Sequence, residues 1–344
     1  MLLPPILSYD DVLAEAGEAR HLLLGNGFSI ACRPDLFHYD KLFDRADFLN
    51  LERARRAFDL LSTTNFEAVI RALRSFAALS ELYAPDDSTM KEKAERDAAA
   101  LREVLVRAVA DCHPDRPGNI KPEEYLNCRK FLRGYKSINT LNYDLLLYWA
   151  LMQNELGDDQ IPCDDGFRKP ADDPDAAYVS WDPDNSKGQT VRYLHGALHL
   201  YDTGTEMKKF TWIDTGIPLI EQIRSALQRG FYPVFVSEGT SAEKLERIRH
   251  NDYLCKMYRS FTEIRDSVVV FGHSLDECDE HIFIDRIGRH GKTSHLYVSL
   301  YGDPGTPANK TIIRRALALP QLRIGRWRLE VKFFNAASVS LWNR

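Results

Sequence analysis

The sequence predicts an α/β protein: an open parallel sheet of about six strands, interrupted by one long helical insertion. Two observations carry this expectation. Short runs of Leu, Val, Ile and Phe without polar alternation end in glycine or small polar residues, as strands do when helices cover both faces of their sheet. Between the first and second runs lies a helical stretch far longer than an ordinary crossover.

In order, the runs are HLLLGNG (21–27), SINTLNYD (137–144), VRYLHG (191–196), PVFVSEG (233–239), SVVVFGHS (267–274) and HLYVSLYG (295–302). Helical segments fill the intervals. Thr64 with Glu67, and Thr240 with Glu243, have the spacing of capping boxes. After the first box, Phe66, Val69, Ile70, Leu73, Phe76 and Ala77 recur at helical spacing and predict one buried stripe. A further helix, KEKAERDAAALREVLVRAVADC, runs to His113 and Pro114. The resulting organisation is a sheet domain built from residues 1–44 and 136–344, with 45–135 as an inserted helical subdomain.

Two segments stand out by charge. Residues 155–186 hold Glu155, Asp158, Asp159, Asp164, Asp165, Asp172, Asp173, Asp175, Asp182 and Asp184, which predict an exposed acidic excursion. Near the end, Lys310, Arg314, Arg315, Arg323, Arg326, Arg328 and Lys332 face only Glu330. That pattern predicts a solvated helix face and an edge strand guarded by charge, with contact to an acidic partner or another subunit as the alternative.

Composition bounds the function. Forty-five Lys and Arg against 50 Asp and Glu leave a formal charge of −5 over 344 residues. Such a surface has no general attraction for phosphate backbones, so no direct nucleic-acid partner is expected. No apolar run approaches the roughly 20 residues of a membrane helix, and MLLPPILSYDDVL has no basic leader region. A cytoplasmic protein without a membrane partner is expected. The 6 cysteines are scattered with no C-x-x-C pair, which removes a disulfide framework and a zinc ribbon.

The chemistry-bearing residues fall at strand ends. Gly25-Asn26-Gly27-Phe28-Ser29 opens into a short helical stretch that Pro34 stops. Glycines there allow close approach of a ligand, and successive amide N–H groups could hold a pyrophosphate; a plain tight turn is the alternative. Ile30 stands at the third glycine position of the hydride-transfer fingerprint, so a standard dehydrogenase is not expected. Thr140, Asn142 and Asp144 end the second run; Asn142 offers a donor and an acceptor without titrating, and Asp144 could fix the loop or cap the next helix. His195 precedes Gly196 and can act near neutrality as a base toward a ribose hydroxyl, or serve as a hydrogen-bonded core histidine. His199 lies four residues on, but the acid of H-E-x-x-H is missing, so no metal is expected. Gly272, Ser274 and Asp276 could contact phosphate or ribose, or cap a helix; a carboxylate-bound divalent cation is a third, weaker option.

Four motifs in this order, GNGFS, TLNYD, LHG and FGHSLD, resemble those of the sirtuin fold across residues 22–276. The opening GNGF and the insertion are more similar to bacterial sirtuin-like defence proteins and to the AbiH-type abortive-infection group than to protein deacylases. The resemblance implies a Rossmann-like sheet, with Asn142 and His195 as the catalytic pair. It also implies that Gly25, Asn26, Gly27, Phe28, Ser29, Thr140, Asp144, Gly272, Ser274 and Asp276 bind NAD, which is the substrate. Leu141 replaces the glutamine common in deacylases and the four-cysteine zinc module is absent, so deacylation is not expected. The implied activity is cleavage of NAD to nicotinamide and ADP-ribose by an antiphage abortive-infection effector. Its expected partners are further copies of the chain and a phage sensor such as a HerA-type ATPase. The alternatives are a non-catalytic NAD or ADP-ribose sensor and an ADP-ribosyltransferase.

Overall fold

The computed structural model describes residues 3–342 apart from 38, 86–87, 154–155, 157–160, 162, 171, 177, 184–187, 212–215, 230 and 237–238. Its strands are β1 (Ile6–Leu7), β2 (Arg20–Leu24), β3 (Ser137–Thr140), β4 (Phe167–Arg168), β5 (Tyr178–Trp181), β6 (Val191–Tyr193), β7 (Leu200–Asp202), β8 (Met207–Phe210), β9 (Ser267–Phe271), β10 (His295–Leu300) and β11 (Glu330–Asn335). Seven of them form one sheet in the order β1-β11-β10-β9-β2-β3-β6, and every neighbouring pair is parallel. All residues of β3 and β9 are buried, which is the physical reason the β9 run does not alternate, while the buried Ser137 and Asn139 side chains of β3 are hydrogen-bonded to His21 and the Leu22 carbonyl.

Five of the six apolar runs enter this sheet. The run at 233–239 does not: its one ladder contact is an isolated antiparallel bridge from Phe235 to Gly196, and residues 237 and 238 lie outside the described set. The expected edge strand at the basic end is also corrected. β11 pairs with β10 on one side and β1 on the other, so the two-residue β1 takes the edge. Lys332 meets Glu15 at 2.8 Å and Glu330 at 3.3 Å. The helix part of that expectation holds, since Pro307–Ala318 is helical with Lys310 and Arg314 exposed.

The acidic excursion is corrected in part. Residues 167–210 contribute a second, antiparallel sheet in the order β4-β5-β8-β7. Asp172, Asp173 and Asp175 are exposed, but Asp165 pairs with buried Lys209 and Asp164 meets Arg168 at 2.5 Å. These pairs let acids sit beside a packed sheet. Glu155, Asp158, Asp159 and Asp184 lie outside the described residues.

Between β2 and β3 the described chain is helical, with its longer helices at Glu52–Leu60, Phe66–Tyr83, Thr89–Cys112 and Pro122–Arg133. Helix Phe66–Tyr83 buries Phe66, Val69, Ile70 and Ala77, whereas Phe76 is 51% exposed. At its start Asn65 Oδ1 accepts from the Ala68 N–H at 3.3 Å, and the Thr64–Glu67 box lies outside the described residues because the Glu67 side chain does. The Thr240–Glu243 box is formed in both directions. These helices share one continuous core with the sheet, from Phe66 and Leu101 to Leu22 and Val269. Cys32, Cys128, Cys163, Cys255 and Cys278 form no disulfide among the described residues. Among the described residues no helix is long and apolar enough to cross a membrane.

Candidate functional site

The strand order reverses between β2 and β9: the chain leaves β2 toward β3 and β6, then returns to β9, β10 and β11 on the other side. Loops leaving neighbouring strands at such a switch point diverge and open a crevice at their carboxyl ends. Here the two loops are Gly25–Ser29 and Gly272–Asp276.

The glycines serve first to let these loops touch. The Gly25 N–H donates to the Phe271 carbonyl at 2.9 Å, and the Gly27 N–H to the Gly272 carbonyl at 2.8 Å. A Cβ on Gly27 would lie 2.5 Å from the Gly272 Cα, and Gly272 itself has φ +70°. The expectation of a row of free amides for a pyrophosphate is therefore corrected. Phe28, Ser29 and Ile30 donate their N–H groups back to Gly25 and Asn26, leaving the Asn26 N–H without a protein acceptor among the described residues. Across the crevice the His273 and Ser274 N–H groups are in the same state. Gly196 is likewise explained by the chain: its φ is +76° and an added Cβ would lie 2.0 Å from the Val234 carbonyl.

Asn142 is held by its donors. Its Nδ2 reaches the Gly25 carbonyl and the Ser29 Oγ, each at 3.0 Å, and its N–H reaches the Thr140 Oγ1 at 3.0 Å. Ser29 Oγ in turn donates to Asp144 Oδ2, while Asp144 Oδ1 accepts from the Leu146 N–H at 2.8 Å. Burial pushes the Asp144 carboxyl up, against these hydrogen bonds. This chain fixes the amide so that Asn142 Oδ1 is the atom left for a ligand. Phe28, Ser29 and Thr140 thus stand behind the site. Phe28 packs on Trp342 with ring centroids 5.2 Å apart.

His195 lies on the opposite wall, 3% exposed, with its Nε2 3.0 Å from His281 Nε2 and 3.9 Å from Asp279 Oδ1. Asp279 is the hub of a buried cluster, taking Lys244 Nζ at 3.1 Å and His273 Nε2 at 3.0 Å. His273 Nδ1 accepts from the Leu275 N–H at 2.8 Å, so His273 Nε2 carries the hydrogen that Asp279 accepts. Burial pushes the Asp279 carboxyl up, but the Lys244 ammonium and the surrounding imidazoles outweigh it and hold the group well below the usual range. Burial drives His195 well below an ordinary imidazole and His281 down to about 4. Both shifts favour the neutral ring.

Asn142 and His195 line one cavity of about 630 Å³, together with Gly25, Asn26, Gly27, Asp144, Gly272, Ser274 and Asp276. Leu42, Asn65 and Val109 from the helical stretch close it on another side. Ser274 and Asp276 are exposed at its rim, where Asp276 caps the turn Glu277–Asp279 by accepting from the Glu277 N–H at 2.5 Å. His199 takes no part. Both its ring nitrogens are buried without a hydrogen bond, and the ring packs on Tyr148 and Tyr193.

Lys244, Asp279, His281 and Ser241 escape sequence reasoning. The one available signal was D-x-H at 279–281, directly after the FGHSLD loop. His195, Asp279 and His281 do bring ligand-type atoms within 4.8 Å of one another. The Lys244 ammonium already neutralises the carboxylate, and the two Nε2 atoms satisfy each other, so the donor set fits a hydrogen-bonded network better than a cation. Residues 22–342 match a protein family described as a domain of unknown function, DUF4917. None of the curated proteins matches the chain.

Proposed function

The chain belongs to the DUF4917 family, and we propose that it is an NAD glycohydrolase with a Rossmann-like, sirtuin-like dinucleotide domain. The observation that carries this reading is that Asn142 and His195, more than fifty positions apart in sequence, line the same cavity at the switch point of the sheet. The strand order outward from β2 and β9 is that of doubly wound dinucleotide-binding sheets, with β1 added at an edge. The cavity volume falls within the ~300–1,000 Å³ typical of small-molecule sites.

The chemistry asks little of the protein. Nicotinamide is a cationic leaving group that departs neutral, so no general acid is needed. What is needed is a positioned water and an environment that tolerates positive charge on the ribose. Asn142 Oδ1, with its amide locked by Gly25 and Ser29, accepts a hydrogen from the attacking water. Neutral His195 accepts from that water or from a ribose hydroxyl. The buried Asp279 carboxylate behind it favours the developing cation, moderated by Lys244. The N–H groups of Asn26, His273 and Ser274 remain for the pyrophosphate.

The test is product analysis. Purified protein incubated with adenine-labelled NAD should yield nicotinamide and ADP-ribose in equal amounts. Bound NAD without nicotinamide release would replace this reading with the sensor. Label retained on protein or nucleic acid would replace it with the transferase. In a cell the predicted reaction depletes NAD, so an effector of this kind requires restraint by assembly or by a second protein until infection.

A further inference from the structure

His195 and His281 face each other in near-parallel planes, 22° apart, and are 3% and 1% exposed. A hydrogen bond between two Nε2 atoms requires one to donate, and that choice fixes the hydrogen on both rings. Asp279 Oδ1, 3.9 Å from His195 Nε2, favours a hydrogen there. His281 Nε2 then accepts, and His281 Nδ1 carries the hydrogen toward Ser241 Oγ at 3.1 Å. Ser241 Oγ also accepts from the His281 backbone N–H at 2.6 Å. With both lone pairs used, its own hydrogen turns outward from a half-buried position at the start of helix Ser241–Arg249. His195 Nδ1 is left as a bare acceptor with no protein donor among the described residues.

We infer that His195, His281 and Ser241 form a proton-exit wire from the cavity to the protein surface. The inference rests on the proposed hydrolysis and gives a place to the proton which that reaction releases. Water oxygen bonds to the anomeric carbon, the carbon–nitrogen bond breaks with its electron pair going to nicotinamide, and the water's surplus proton goes to His195 Nδ1. His195 passes its Nε2 hydrogen to His281 Nε2. His281 passes its Nδ1 hydrogen to Ser241, which releases its hydroxyl hydrogen to solvent. Each ring ends neutral in its other tautomer, and ring and hydroxyl rotation resets the wire.

This answers a difficulty that a lone base would face. The cluster around the rings holds Asp279, Lys244, His273 and Arg286, and burial strongly disfavours an imidazolium at either histidine. A wire never stores the charge. His281 and Ser241 are positioning residues in this scheme, since neither lines the cavity.

The deciding experiment is ¹⁵N NMR of the full chain labelled at histidine. At pH 7 His195 should carry its hydrogen on Nε2 and His281 on Nδ1, both neutral; the opposite tautomers, or an imidazolium at either ring, would overturn the wire. Because this readout needs no turnover, it stands apart from the NAD assay, whose failure would remove the hydrolysis instead. In kinetics, Ser241→Ala and His281→Phe should each lower kcat at least tenfold with KM within twofold. Added imidazole should restore part of the corresponding loss in His281→Ala, which leaves room for the ring. A KM change with unaltered kcat would mean a merely structural role.

Discussion

Gly27 and Gly272 meet backbone to backbone: the Gly27 N–H donates to the Gly272 carbonyl at 2.8 Å, and a Cβ on Gly272 would lie 2.6 Å from the Gly27 Cα. Neither side can yield by rotating a side chain. With φ at +70° added, Gly272→Ala should cost roughly 2 kcal/mol or more. Gly118→Ala, where nothing lies within 4 Å, should change stability by less than about 0.5 kcal/mol. Denaturant unfolding of both variants checks the contrast, and equal stabilities would refute the loop contact.

Asn142→Asp separates orientation from mere presence of a polar group. The substitution turns an Nδ2 donor into an oxygen 3.0 Å from the Gly25 carbonyl, acceptor against acceptor. A loss of about 1–3 kcal/mol is expected at pH 7. Protonation of the new carboxyl restores a donor, so the deficit relative to wild type should shrink at pH 5. A deficit that grows on acidification would show that the amide is held differently.

Lys244 and Asp279 form a buried pair at 3.1 Å, with side chains 2% and 10% exposed. Lys244→Met strands the carboxylate and should cost about 3–5 kcal/mol, whereas Lys244→Met with Asp279→Leu should recover much of that loss. A double-mutant cycle measures it. Additive losses would mean that the two groups are not coupled.

The buried histidines set the acid limb of stability. Burial lowers His21, His113 and His281 to about 4 each, and it holds His195 and His199 well below the ordinary imidazole value. Below the unfolded value near ~6.5 the unfolded chain binds protons that the folded chain refuses, so stability is complete above that pH and falls as pH drops toward 4. The summed loss between pH 7 and pH 4.5 is on the order of several kcal/mol. Urea titrations along that range would check it; a flat profile from pH 7 to 5 contradicts the burial of these rings.

The legible parts of the fold are those that burial writes into local composition. β2, β9 and β10 carry the apolar runs LLL, VVVF and LYV because both faces of the sheet are covered, while β3 buries the polar Ser137, Asn139 and Thr140 beside Ile138. β11 escapes because EVKFFN mixes charge with aromatics, and β1 because two residues make no pattern. PVFV reads as a strand, yet the carbonyl of Val234 is spent on the bend at Gly196 and Ala197. At the site, strand ends declared Asn142 and His195, since polar groups there stand out from the apolar runs. Lys244 did not stand out: in an amphipathic helix a lysine looks solvated, and only the tertiary approach of Asp279 buries it. The amides of Phe28, Ser29 and Ile30 looked free for the same reason, because their acceptors are set by how the loop closes.

The most direct measurement is nicotinamide release from NAD by wild type, Asn142→Ala and His195→Ala, each shown to be folded, with the cell extract that supplies any activator. The account predicts turnover by wild type and a loss of at least a hundredfold in each variant. Wild-type-like turnover in either variant would contradict it.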